Sequence, residues 1–251
     1  MGGRNSPRFK VCPNAERNRE VRASGSQRLR ELAARYADLG GEALLRPLIE
    51  REFPGRLAVV SSFGAESAVV LAMVAAIDPR VPVLFLDTGK LFGETLRYRD
   101  RLIDSLGLAD VRTLRPGPKP LAAADPDGML WLDDPDRCCA VRKVAPLANA
   151  LSGFDAWISG RKRYHGGARA DLPLFEADSS GRIKINPVAG WAREQIEAAF
   201  AARDLPRHPL EAEGYRSIGC FTCTDRVLPG EDQRAGRWRD RGKSECGIHS
   251  P

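Results

Sequence analysis

The sequence predicts an α/β fold, a mainly parallel sheet flanked by helices and followed by an irregular C-terminal tail. Three observations carry that expectation. Short apolar runs alternate with longer segments of helical periodicity, each run ends in small polar or glycine residues, and the periodicity fades after Pro206.

Taken in order, residues 26–52 place apolar side chains at helical spacing, with a break at Gly40 and Gly41 that predicts two helices. RLAVVSSFGAESAVVLAMVAAI then reads as strand, polar turn and buried helix. The pattern returns as VPVLFLDTG followed by ETLRYRDRLIDSLG, as ADVRTLRP, and as FDAWISG. The stretch Arg115 to Pro135, rich in Pro, Gly and Asp, is expected to be a long loop before the helix CCAVRKVAPLANAL. Ligands of parallel sheets sit beyond the carboxyl ends of the strands. Here those ends are Ser61–Gly64, Asp87–Gly89 and Ser159–Arg163, which should meet in one pocket. The organisation expected is a basic flexible arm over residues 1–25, an α/β nucleotide-binding domain over 26–206, and a tail over 207–251.

Of the 251 residues 43% are apolar, enough for a sizeable core. No run reaches the roughly 18 apolar residues that span a bilayer, and the N-terminus lacks the apolar middle of a secretory signal, so a soluble cytoplasmic protein without membrane contact is expected. The formal charge of +6 lies in residues 1–30, which hold eight Arg or Lys against two Glu. Such an arm is more often solvated than bound to nucleic acid. Oligomeric state is left open.

Six cysteines without an export signal point away from a disulfide framework and toward metal binding or thiol chemistry. Cys138 and Cys139 are adjacent, Cys220 and Cys223 form a C-x-x-C, Cys246 lies near the end, and Cys12 sits in the arm with no assigned role. The first four supply the thiolates for one tetrahedral zinc or one [4Fe–4S] cluster. A cubane offers each thiolate its own iron, which suits an adjacent pair better than one shared ion does. A vicinal disulfide or plain buried thiols are the bland readings. Arg137, Arg142 and Lys143 flank the pair on one helix, where they tune a cluster or meet an anion; one of Arg142 and Lys143 is expected on a solvated face.

The loop Ser61-Ser62-Phe63-Gly64-Ala65-Glu66-Ser67 offers hydroxyls and N–H groups at a helix start, an anion cradle or an ordinary turn. Leu86-Asp87-Thr88-Gly89 adds a second strand end. In the tail, Arg234, Arg237, Arg239 and Arg241 precede KSECGIH, so Cys246 stands in an electropositive setting, expected to be accessible, that lowers a thiol pKa.

The SSFGAES loop, LDTG, RCCAVRKVAPL, the ISGR strand end, GCFTCT, GEDQRAGRW and KSECGIH, in this order from about Ser61 to His249, resemble the assimilatory sulfonucleotide reductases, in their iron–sulfur adenylylsulfate (APS) reductase branch. The resemblance implies a fold similar to the adenine nucleotide α-hydrolases, with Ser61, Ser62, Gly64, Thr88 and Gly160 on the nucleotide side. It also implies a [4Fe–4S] cluster on Cys138, Cys139, Cys220 and Cys223. Lys143, Arg169, Arg234, Arg237 and His249 line up with groups that contact the substrate's phosphate and sulfate, and Cys246 with the catalytic nucleophile. The implied reaction is reduction of APS to sulfite and AMP through an S-sulfocysteine, with thioredoxin or a glutaredoxin-like protein as reductant.

Two stretches depart from the family pattern. Gly160–Gly167 reads GRKRYHGG where relatives tend to carry a paired arginine followed by glutamine and serine, and GCFTCT lacks the proline common before the second cysteine. The competing readings are a reductase of the 3′-phosphorylated substrate (PAPS) or of both substrates, an ATP-cleaving adenylyltransferase of the same fold, and a zinc-bearing nucleic-acid-binding module. The adenylyltransferase would want an aspartate and a further glycine in the first loop, where Phe63, Ala65 and Glu66 stand. The zinc module leaves Cys246 and the nucleotide loop without a role.

Overall fold

The computed structural model describes residues 25–243 and 245–249. Apart from Gly25, the expected arm over residues 1–25 lies outside these residues, and so does Cys12.

Six strands form one sheet in the order β3-β2-β1-β4-β6-β5: β1 (Leu57–Ser61), β2 (Val83–Leu86), β3 (Val111–Leu114), β4 (Ala156–Ile158), β5 (Phe175–Ala177) and β6 (Ile183–Ile185). All neighbours are parallel except the β5–β6 pair. The central strands LAVVS and VLFL are buried nearly throughout because helices cover both faces, whereas edge strand β3 is half exposed. The β5–β6 hairpin turns at Asp178, whose carboxylate accepts the N–H groups of Ser180 and Arg182.

The pleat sorts the core into two layers. Leu57, Val59, Val83, Phe85, Ala156 and Ile158 pack on one face with helix α3 (Ser67–Ile77), apolar throughout after Ser67. Ala58, Leu84, Leu86 and Trp157 point the other way, to Leu147 and Leu151 of the second face. Helices α1 (25–35) and α2 (Gly41–Pro47) part at Gly40 and Gly41 as the sequence predicts. Gly41 has φ +54°, and a Cβ there would stand 2.5 Å from the Trp191 ring.

The expected loop between Arg115 and Pro135 contains two short helices, α5 (Pro118–Ala124) and α6 (Leu130–Asp133). Helix α7 (Pro135–Cys139) starts on Asp134, which accepts the N–H of Arg137 at 2.9 Å, with proline in the first turn. It runs through a π turn (Ala140–Val144) into α8 (Ala145–Ala150). Pro146 has no N–H to return four residues, and the helix widens just before it. Helix α4 (Gly93–Leu106) follows β2, and α9 (Arg193–Ala202) is the last long helix of the described residues. Beyond it the described chain forms only short turns and two isolated bridges, Leu91 to Cys220 and Thr224 to Arg237.

Candidate active site

The carboxyl ends of β1 and β4 and the end of β2 open onto one cleft. It is lined by Ser61, Ser62, Gly64, Glu66 and Ser67, by Leu86, by Ser159 to Lys162, and across from these by Arg169, Arg234, Arg237 and His249. The first loop bends at Phe63, whose φ of +47° is held by an N–H to Ser61 Oγ bond of 3.1 Å and by its buried ring, edge-on to Phe85. No side chain caps the start of α3, so the opening of this eleven-residue helix faces the cleft.

Glu66 is spent on its neighbours. Its carboxylate accepts from Lys162 Nζ (2.7 Å), Tyr164 OH (2.6 Å), His165 Nε2 (3.0 Å) and Gln233 Nε2 (3.0 Å). Burial works against its charge, but the His165 bond and the Lys162 ammonium hold it far below the ordinary carboxylate range. His165 Nδ1 accepts from Arg169 Nη1 at 3.1 Å, which fixes the neutral tautomer with its proton on Nε2, and burial lowers its pKa further. The stretch that departs from the family pattern is therefore the one that ties the first loop to Arg169.

The cysteines gather beside the cleft. Cys138, Cys139, Cys220 and Cys246 are buried and Cys223 partly so. Burial raises the Cys138 thiol, Arg142 opposes this, and negative charge on Cys220 and Cys223 raises it further, so three of the thiols share one electrostatic neighbourhood. Cys139, Trp238 and Cys246 pack together, with Cys223 and Ile248 against them. Among the described residues no set of three or more His, Cys, Asp or Glu side chains is close enough to hold a metal ion. Burial opposes the Lys143 ammonium, yet the neighbouring Cys220, Cys246 and Cys139 side chains raise its pKa above the usual range. Burial lowers Arg237 while the same kind of neighbour supports it. In chemistry, though not in spacing, four thiols with cations near them suit an iron–sulfur cluster, whose net negative charge those cations would balance.

Cys246 is buried, not accessible as its place in the tail suggests. The segment Gly247–His249 turns inward, Gly247 lies over Val144 and Cys139, and Ile248 packs on the second core layer. A bond donated by the Cys139 thiol favours the Cys246 thiolate, burial opposes it, and Lys143, the Ile248 N–H and Arg237 favour it. A metal-bound Cys139 has no proton to give, and the last three groups then remain. Arg237 lies 4.2 Å from the Trp238 ring centroid, with Arg234 and Lys243 over the same ring at 5.9 and 5.7 Å. His249 stacks on Trp157 at 6.2 Å, and burial beside Lys184, Arg161 and Arg169 keeps it neutral.

Of the residues singled out in the sequence, Ser61, Ser62, Gly64, Gly160, Arg169, Arg234, Arg237 and His249 line the cleft, and Lys143 stands among the thiols. Thr88 does not line it. Its side chain is fully buried and its hydroxyl lies 3.2 Å from Cys220 Sγ, because the bend after β2 turns it toward the cysteines. Neither Arg142 nor Lys143 is on a solvated face: Arg142 is buried on Asp125 and donates to the Thr88 carbonyl, while Arg137 is exposed. Sequence reasoning passed over the roles of Lys162, His165, Gln233 and Glu245. A glutamate inside a predicted anion loop was the available signal, since it demands cationic partners.

Fold and cleft together define a parallel-sheet protein with a cation-lined site at its strand ends. A family model described as the phosphoadenosine phosphosulfate reductase domain matches residues 56–226. The adenosine 5′-phosphosulfate reductase of Chelativorans sp. is 50% identical over 222 residues, 88% of this chain and 90% of that protein. The phosphoadenosine 5′-phosphosulfate reductase of Gloeobacter violaceus is 38% identical over 230 residues, 88% and 93%. The solved phosphoadenylyl-sulfate reductase of Candida auris, in a phosphate complex, has a TM-score of 0.67 at 27% identity, covering 78% of this chain and 96% of that one. The chain belongs to this family of sulfonucleotide reductases.

Proposed function

We propose that the protein reduces APS to sulfite and AMP, with Cys246 as nucleophile, a thioredoxin or glutaredoxin-like dithiol as reductant, and a [4Fe–4S] cluster on Cys138, Cys139, Cys220 and Cys223. The observation that carries the proposal is a buried cysteine whose charge Lys143 and Arg237 favour, on a segment whose neighbours Ile248 and His249 line the cleft. The Cys246 thiolate attacks the sulfur of APS. An S–S bond forms, the bond from sulfur to the bridging oxygen breaks, and AMP leaves with the electron pair. Arg234, Arg237 and Lys143 offer donors for the oxyanions as charge moves onto the phosphate. A reductant thiolate then attacks Cys246 Sγ and displaces sulfite; its second thiol resolves the mixed disulfide, so the two electrons come from the dithiol. When bound, the cluster supplies a compact charged body beside which Lys143 and Arg237 are held.

Preference for APS over PAPS is supported by the more similar relative's name and by Arg161 and Lys162. These two basic residues after Gly160 are committed to Glu176 and Glu66 rather than to a further phosphate. A competition assay with the dithiol reductant, on protein purified without oxygen and assayed for iron and sulfide, tests the reading. Sulfite should come mainly from APS, and Cys→Ser at any of the four positions should lose iron and sulfide. PAPS preferred by about tenfold, or full iron and sulfide in a Cys→Ser variant, would remove the corresponding part.

A further inference from the structure

Glu245, the residue before the nucleophile, sits where an anion is expected. Its carboxylate takes the Arg169 fork with both oxygens, from Nε at 2.5 Å and Nη2 at 2.9 Å, and receives Arg234 Nη2 at 3.4 Å. One of those oxygens also accepts the N–H of Cys246 at 2.9 Å. All three side chains are largely buried, at 14%, 10% and 12% exposure for Glu245, Arg169 and Arg234. The other side of Arg169 is fixed by His165, itself fixed by Glu66, so the fork is aimed before any ligand arrives.

A guanidinium fork binds two oxygens of a carboxylate and two of a phosphate or sulfonate in the same plane. We propose that Glu245 is the positioning residue of the Cys246 segment, and that it positions it by occupying the oxyanion site of Arg169 and Arg234, from which a sulfonucleotide's oxyanion must displace it. This rests on the reading of Arg169 and Arg234 as anion-binding groups. The consequence is an exchange. Without ligand, the chain's own carboxylate balances the arginines and keeps Cys246 buried on Cys139; with ligand, the substrate balances them and the Cys246 segment is released from Arg169. Arg169 and Glu245 are thus a latch whose key is the same charge that the reaction consumes.

The test uses the holoenzyme and AMP, whose phosphate is the probe. Cys246 is alkylated with iodoacetamide and the modified peptide is quantified over a range of AMP, at matched ionic strength. In the parent, alkylation should accelerate with AMP and saturate at AMP's own dissociation constant. In Glu245→Gln and in Glu245→Ala alkylation should be fast and indifferent to AMP, and AMP should bind about tenfold tighter, since removing a competing charge-assisted contact is worth at least that much. If AMP binds the parent but leaves alkylation unchanged or slows it, or if both variants bind AMP no tighter, the exchange is wrong while the arginine site stands. If Arg169→Ala and Arg234→Ala bind AMP as well as the parent does, the underlying reading has failed instead.

Discussion

Arg237 owes its place to a residue that has no side chain. A Cβ on Gly219 would lie 2.5 Å from Arg237 Nη2 and 2.7 Å from its Cζ. The clash is with the far end of a long side chain, so alanine at 219 should displace the guanidinium and spare the fold. Gly219→Ala should then weaken AMP or APS binding as Arg237→Ala does, by about 10- to 100-fold for one charge-assisted contact, with iron content and far-UV circular dichroism retained. Binding equal to the parent's in Gly219→Ala would show that Arg237 does not meet the anion. Single residues were unevenly legible in the sequence. Arg234, Arg237 and His249 stood out as cationic or imidazole groups suited to an anion, and all three reach the cleft. Glu245, although inside KSECGIH, and His165 did not stand out, because each acts through a residue far away in the chain, and no local pattern reports a partner 76 or 99 positions off.

The parallel strands were legible because a strand covered on both faces must be apolar throughout, and LAVVS and VLFL are. The β5–β6 hairpin was missed, although FEA, a turn at Asp178 and IKI carry the alternation of a hairpin. Its three-residue strands are shorter than the windows on which periodicity is judged. The turn Pro209–Glu211 joins the tail to α4 through His208, whose Nδ1 accepts the Leu210 N–H at 3.2 Å while Nε2 lies 3.0 Å from Thr95 Oγ1. Burial lowers this imidazole to about 4, with only Glu94 opposing. A depressed folded pKa means that the stability is present above the unfolded value near 6.5 and is lost as pH falls toward 4, because the unfolded chain binds the proton first. Comparing denaturation of the parent and His208→Asn at pH 7 and pH 4.5 should therefore show the parent losing about 2 kcal/mol more than the variant. Equal losses would mean that His208 titrates normally.

For the molecule as a whole, the tail after Pro206 returns to the sheet end through the bridge of Leu91 to Cys220 and packs Trp238 and Cys246 on Cys139. Burial of Cys246 was not legible, because a glycine- and arginine-rich tail reads as solvated until the sheet face that receives Ile248 is in view. Under the proposed mechanism, a thiol packed on Cys139 meets a protein reductant only once its segment has opened. Incubating the enzyme with APS in the absence of any reductant isolates the first half of the reaction. One sulfonate should be added per chain and one AMP released, with the added mass on the peptide containing Cys246, and Cys246→Ser should retain iron and bind APS yet form no adduct. An adduct on Cys12, or sulfite production undiminished in Cys246→Ser, would contradict the mechanism.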